Sequence, residues 1–184
     1  MKYFNSIETE RLLIRPFSET DNIEKMNWFF DPLVMDQTIS NVENDFSIKQ
    51  RINRYINHQF KYGYSKWLVI YKETGEFIGV CGVCSLDSGN ETINDIGYLL
   101  ASQYWGKGIG IEMTKSFIHA YFENLSFDLL YAHTKLENKI SINLLSKLGF
   151  SFEKPAIVHG AALNRYCLER NSFEVIFKSD KELI

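Results

Sequence analysis

Cysteine and proline are scarce in this chain, with three of each among 184 residues, and glycine is held to eleven. Three thiols cannot all pair, and a domain of this length does not depend on disulfide staples, so a reducing compartment, the cytoplasm, is the expected setting. So few prolines and glycines exclude a fibrous or disordered chain. Long apolar runs are missing too: the longest unbroken one, Trp67 to Tyr71, falls far short of the about 20 residues that cross a bilayer. No secretory leader is legible at the start, where Glu8, Glu10 and Arg11 interrupt the apolar residues. A basic excess is also lacking. The formal net charge of −3 argues against a nucleic-acid binder, whose footprint is a basic domain with clustered Lys and Arg.

What the chain does have is apolar bulk. Hydrophobic residues make up 45%, and 14 Phe, 10 Tyr and 3 Trp each bring a large buried area, so one well-filled domain is expected over residues 1–184. Charge is unevenly spread. Residues 19–45 carry seven acids (Glu19, Asp21, Glu24, Asp31, Asp36, Glu43, Asp45) against Lys25, while residues 46–80 carry six bases against Glu73 and Glu76. Two solvated helix faces of opposite sign would account for this; an acidic entrance that favours a positively charged acceptor is the sharper reading.

Apolar spacing predicts the elements. Residues 11–17 read as a strand closed by Pro16, with Asp21 as the cap of a helix entering the acidic region. Ile48, Ile52, Tyr55, Ile56 and Phe60 follow a helical period that Gly63 stops. Residues 67–71 and 77–86 read as an antiparallel hairpin, and residues 95–101 as a further strand. Strand, helix, strand, helix and strand then alternate: a helix over 109–125, a strand over 129–134, a helix capped by Asn138 and stopped by Gly149, and strands from Phe150 and over 165–169. The result is one mixed α/β domain without repeats or linkers.

The most informative segment is Gln103-Tyr104-Trp105-Gly106-Lys107-Gly108-Ile109-Gly110, between a strand and a long helix. Three glycines in five residues let a ligand approach the backbone, and the helix start behind them offers unpaired N–H groups and a partial positive charge, an anion cradle suited to phosphate. A tight turn needing unusual dihedrals is the plain alternative. Spacing excludes a Walker loop, because Ala101 and Gly108 stand where Gly and Ser or Thr are required, and a dinucleotide fingerprint, because Ile111 stands where the third glycine is required. Other constellations weigh less. Cys81 and Cys84 lie three apart in a strand and point to opposite faces, which suits buried thiols and not a shared site. His58, His119, His133 and His159 show no ligand spacing, and no metal is expected. Trp28, Phe29 and Phe30 are either core or a pocket wall.

Gln103-x-x-Gly106-x-Gly108 resembles the pyrophosphate motif of the GCN5-related N-acetyltransferases (GNAT family). The likeness continues through Asp95-Ile96-Gly97-Tyr98, Glu137-Asn138-x-x-Ser141 and Lys147-Leu148-Gly149-Phe150. With the opening Thr9-Glu10-Arg11-Leu12-x-Ile14-Arg15, it resembles the branch of ribosomal-protein alanine acetyltransferases (RimJ/RimL-like) over residues 7–154.

The resemblance implies an α/β fold with one mixed sheet, antiparallel in its N-terminal part and parallel at a cofactor cleft, flanked by helices. It implies acetyl-CoA as cosubstrate, pairing with the backbone of Leu99, Leu100 and Ala101. Gln103, Gly106, Lys107, Gly108, Ile109 and Gly110 would hold the pyrophosphate, with Asn138 and Ser141 near the sulfur. The activity implied is direct acetyl transfer to a primary amine, either a protein N-terminus or a small cationic amine; an acyl-CoA sensing module and an aminoglycoside-type acetyltransferase remain open. Asp95 is the candidate base, directly or through a water, and Ser141 the candidate donor to the thiolate. Trp28, Asp31, Tyr98 and His133 are candidate acceptor contacts. The tyrosine acid of many members is replaced by Leu145, and Asn164-Arg165-Tyr166 stands where an aspartate often precedes the last strand. Expected partners are acetyl-CoA and an amine, with no nucleic acid and no membrane, and a homodimer left open.

Overall fold

Alternation along residues 66–100 builds the centre of the molecule. The computed structural model describes residues 6–38, 44–88 and 91–177. Its strands are β1 (Ile7–Glu8), β2 (Leu12–Arg15), β3 (Lys66–Tyr71), β4 (Glu76–Ser88), β5 (Glu91–Leu100), β6 (Leu129–Thr134), β7 (Ser151–Val158) and β8 (Ala161–Glu169). They form one eight-stranded sheet in the order β1-β2-β3-β4-β5-β6-β8-β7. Every adjacent pair is antiparallel except β5–β6, which is parallel and registered through Asp95 and Tyr131 alone. The sheet therefore opens beyond Asp95, and that opening positions the site.

The helices are α1 (Pro32–Met35), α2 (Asp45–Tyr62), α3 (Ile109–Asn124), α4 (Lys139–Lys147) and α5 (Arg170–Phe177). Successive strand residues face opposite sides, and the core divides accordingly. Trp67, Val69, Cys81, Val83 and Ile96 pack against Met113, Phe117, Ile118 and Tyr121 of α3. Leu68, Ile70 and Val80 pack against Ile48, Ile52 and Tyr55 of α2 and against Met26, Trp28 and Phe29. The helix ends are local chemistry. Asn44 and Ser47 form a reciprocal capping box on α2, and Gly63 ends it at φ 80°, where a side chain would be strained.

The helix expected from Asp21 is not formed. Asp21 takes both guanidinium nitrogens of Arg15 at 2.9 and 2.6 Å and the Ser18 N–H at 2.8 Å, so it is unavailable as a cap. Asn22 instead caps a short 3-10 turn over Ile23–Lys25, a second turn covers Asn27–Phe29, and α1 begins only at Pro32, where the missing N–H costs nothing. Glu43 lies outside the described residues. No helix among the described residues is long and apolar enough to cross a membrane.

Candidate active site

Separation of β5 from β6 leaves a cleft of about 1010 Å³ that runs from the glycine loop to α2. Leu99, Leu100, Gly106, Gly108, Gly110, Asn138 and Ser141 all line it. Gly106 and Gly108 adopt φ of 72° and 77°, a geometry that turns successive N–H groups outward, and Gly108 starts α3 with no side-chain cap. The N–H groups of residues 106–111 find no acceptor among the described residues. Orphaned donors at the mouth of a helix are suited to an anion. A Cβ at Gly110 would meet Leu144 at 3.2 Å, so this glycine serves the close approach of α4. Ala101, Gln103, Lys107 and Ile109 lie beside the loop without lining the cleft: the Ala101 N–H is bound to Ile78, Gln103 is exposed, the Lys107 ammonium lies over the Tyr104 ring, and Ile109 is buried in the core.

The loop is clamped from the distant N-terminal hairpin. The Arg11 guanidinium donates to the Lys107 carbonyl at 2.9 Å and to Glu112 at 2.7 Å, while the Thr9 hydroxyl and the Arg11 N–H complete the Glu112 carboxylate at 2.5 and 3.1 Å. Partial burial pushes the Glu112 pKa up, but these donors and the arginine charge outweigh it and hold the carboxyl below its ordinary range. Trp105 adds a second fixing point, its indole N–H donating to the Leu100 carbonyl at 2.7 Å. The aromatic and glycine spacing showed the loop, but neither Glu112 nor the Trp105 contact had a sequence signal beyond the acid in the first helical turn.

Two side-chain pairs flank the opening from opposite faces of β5. Asp95 Oδ1 meets His133 Nδ1 at 2.7 Å, with side chains 16% and 4% exposed, and His133 Nε2 is buried with no partner. On the other face the Tyr98 hydroxyl meets Ser141 Oγ at 2.7 Å, and Asn138 Oδ1 accepts the Ser141 N–H at 3.0 Å. Burial raises the Tyr98 pKa, against the smaller opposing effect of Ser141, so the phenol stays protonated. Trp28 and Asp31, expected near the acceptor, are not brought to the cleft. Trp28 is 1% exposed against Phe29, and Asp31 caps α1 through the Leu33 N–H while accepting from the Ser102 hydroxyl at 2.6 Å.

The charge of the acceptor side also differs from expectation. Of the described acids in residues 19–45, none lines the cleft; they are spent on Arg15, on helix caps and on solvent. Arg51 and Arg54 reach the cleft from α2, one turn apart, and Lys66 reaches it from β3. Lys66 lies over Gly97: a Cβ built there would stand 2.4 Å from Nζ and 2.8 Å from Cε. Burial lowers the Lys66 pKa, yet the surrounding Tyr55, Cys84 and Asp95 more than offset this and leave it raised. His58 is tied up structurally, with Nδ1 on the Tyr64 carbonyl at 2.7 Å and Nε2 accepting the Ser85 N–H at 3.0 Å. Burial pushes its pKa down, the Tyr64 carbonyl opposes this, and Lys61 and Lys66 add to it. Cys81 and Cys84 do face opposite sides: Cys81 packs under α3 and burial pushes its thiol up to about 12, while Cys84 borders the cleft.

A mixed sheet that opens at its single parallel pair among the described strands, with a donor cradle at the start of the following helix, is an α/β architecture with an anion-binding cleft. The model of the acetyltransferase (GNAT) domain matches residues 11–151, and the chain belongs to that family. It is 32% identical over 149 residues to the N-acetyltransferase p20 of Bacillus licheniformis, covering 80% of this chain and 83% of that one. It is 29% identical over 147 residues to YkkB of Bacillus subtilis, covering 79% and 85%. Among solved structures, an acetyltransferase from Agrobacterium tumefaciens superimposes with a TM-score of 0.78 at 19% identity, covering 92% of this chain and 97% of that one. The ribosomal L7/L12 α-N-protein acetyltransferase RimL in complex with coenzyme A superimposes with 0.75 at 16%, covering 91% and 99%. The ribosomal-protein-S5-alanine acetyltransferase of Vibrio fischeri does so with 0.73 at 20%, covering 91% and 98%. These neighbours share the fold.

Proposed function

We propose that the protein transfers the acetyl group of acetyl-CoA directly to a primary amine, of which the N-terminal amine of a protein is the first reading. The observation that carries it is the row of unpaired N–H groups at residues 106–111 opening into the same cleft as the Asp95–His133 pair. The cradle fits the pyrophosphate of acetyl-CoA, and the open edge of β5 at Leu99 and Leu100 fits its amide-bearing arm. That cosubstrate supplies an acetyl thioester, which needs no covalent enzyme intermediate. RimL, named as an α-N-protein acetyltransferase, and the S5 alanine acetyltransferase, named for a ribosomal protein, share the architecture and support a protein acceptor.

The residues then divide the proton work. An incoming ammonium must lose a proton before it attacks. A carboxylate alone is a poor base for it, whereas an imidazole titrates as a class about 2.5 units higher. Asp95 accepts the Nδ1 proton of His133 and so orients the ring with Nε2 as the proton acceptor. Ser141 donates its hydroxyl proton to the leaving sulfur and takes one from the Tyr98 hydroxyl, which stands in for the acid missing at Leu145 and regains its own proton from water as the product leaves the cleft.

Coenzyme A release measured over a panel of N-terminal peptides and small amines tests this. Asp95→Asn and His133→Gln should each lower kcat by about 10²- to 10⁴-fold, the usual weight of general-base catalysis, with acetyl-CoA affinity preserved. Acetyl-CoA binding with no release from any amine would instead identify a sensing module.

A further inference from the structure

We infer that the acceptor carries a carboxylate beside its reactive amine; this rests on the acetyltransferase reading of the same cleft. Apart from Asp95, which is engaged by His133, no carboxylate among the described residues lines the cleft. The acceptor side is instead cationic. Arg51 and Arg54 stand on one face of α2 at a spacing of three, Arg51 lying over the Phe29 ring at 5.6 Å, and Lys66 faces them from β3. These cations do not belong to the phosphate site. The glycine loop leads into α3, which covers one face of the sheet, whereas α2 covers the other.

Lys66 carries most of the argument. It follows the fully buried Ser65 and precedes the fully buried Trp67, so its backbone is fixed deep in the sheet. Cross-strand registers place Gly82 opposite it and Gly97 opposite Gly82, a row with no intervening side chain. The lysine stem extends along this row and ends over Gly97, two residues past Asp95, where the sheet opens. There its ammonium makes no direct hydrogen bond or ion pair among the described residues, its nearest opposite charge being that of Asp95. A half-buried cation with no direct hydrogen-bond partner keeps its donors open for the carboxylate of an acceptor. It is placed within reach of an acceptor whose amine sits at the Asp95–His133 pair. The same charge disfavours a second cation, which excludes polyamines and aminoglycosides as good acceptors and reverses the expectation drawn from the acidic segment.

A carboxylate beside an amine occurs both in a free amino acid and at a peptide N-terminus with an acidic residue at its start. The test compares coenzyme A release from alanine and alanine amide, which differ only in the carboxylate beside the amine, and from peptides beginning Ser-Glu, Ser-Gln and Ser-Lys, with spermidine as the cationic probe. The acidic member of a matched pair should exceed the neutral one in kcat/KM by about 10- to 100-fold, the usual weight of a hydrogen-bonded charge. Which pair shows the effect distinguishes amino acid from peptide. Lys66→Met should abolish the preference by raising KM for the acidic acceptor alone, Lys66→Arg should retain most of it, and the exposed Arg54→Gln should reduce it without endangering the fold. Equal or better turnover of the uncharged or cationic member in both pairs, or of spermidine, by the wild type would overturn the inference and leave the acetyltransferase reading standing. No release from any amine, with acetyl-CoA bound, would overturn both.

Discussion

At the scale of single residues, the histidines show why side-chain chemistry is read through partners. Nothing in the spacing of His58 and His133 separates them, yet one is locked by two backbone groups and the other is held by a carboxylate with one nitrogen unsatisfied. Asp95 was legible as the acid at the head of the strand before the glycine loop. Its partner lies 38 residues away and meets it only through the parallel pairing of β5 and β6, which no local pattern encodes. His58 yields a prediction of its own. Its pKa is lowered on folding, so below the ordinary imidazole value of about 6.5 the unfolded chain binds a proton that the folded chain refuses. Stability should be fully present above about pH 6.5 and decline as pH falls through the range beneath it. Urea unfolding at pH 7.5 and 5.5 measures this. His58→Gln should be less stable at pH 7.5 through its lost hydrogen bonds but lose less on acidification; an equal loss would place the acid sensitivity elsewhere.

At the scale of elements, periodicity served well where one face is buried. The helix over Ile109–Asn124 and the strand over Leu129–Thr134 follow their apolar spacing almost to the residue. It failed where side chains compete with the backbone: Asp21 left its helix for Arg15, and two-residue β1 is too short to carry a pattern. The α5 helix was missed as well, although Phe173 packs into the core beside Phe122 and His119. The Thr9-Glu10-Arg11 opening gains a physical role, since Thr9 and Arg11 join β1 and β2 to the first turn of α3 through Glu112. Glu112→Gln keeps the shape but loses the charge that Arg11 balances, so the loop should be held less firmly and the acetyl-CoA Kd should rise about 3- to 10-fold, corresponding to about 1 kcal/mol. The lowered pKa of Glu112 stabilises the fold above the ordinary carboxylate value of about 4.3 and ceases to do so as pH falls through its folded value. Acid unfolding of the variant should accordingly lack this component. Unchanged cosubstrate affinity, measured by calorimetry, would reduce the clamp to a purely structural tie.

At the scale of the whole molecule, the function depends on a sheet that is open in its middle without coming apart. The antiparallel strands on either side are continuous, but only one registered pair joins β5 to β6. Arg165 supplies a second tie. Buried on β8, it grips Glu153 of β7 with two nitrogens at 2.6 and 2.8 Å, reaches across β6 to Glu91 of β5 at 2.5 Å, and stacks over the Tyr131 ring at 4.7 Å. The sequence marked this position only as a departure from relatives, because an arginine that binds residues 12 and 74 positions away has no local signature. Arg165→Met keeps the apolar stem and removes the bridge. The two glutamates are 31% and 47% exposed and so can rehydrate, which places the cost at about 2–3 kcal/mol, below that of a fully buried pair. For a domain of this size that is a fall in Tm of about 5–10 °C. If the bridge also sets the width of the cleft, KM for acetyl-CoA should rise in the same variant, because the cradle on α3 and the Asn138–Ser141 wall on α4 would no longer be held at a fixed separation. A lower Tm with KM unchanged would assign Arg165 to stability alone and leave the opening to the backbone of β5 and β6.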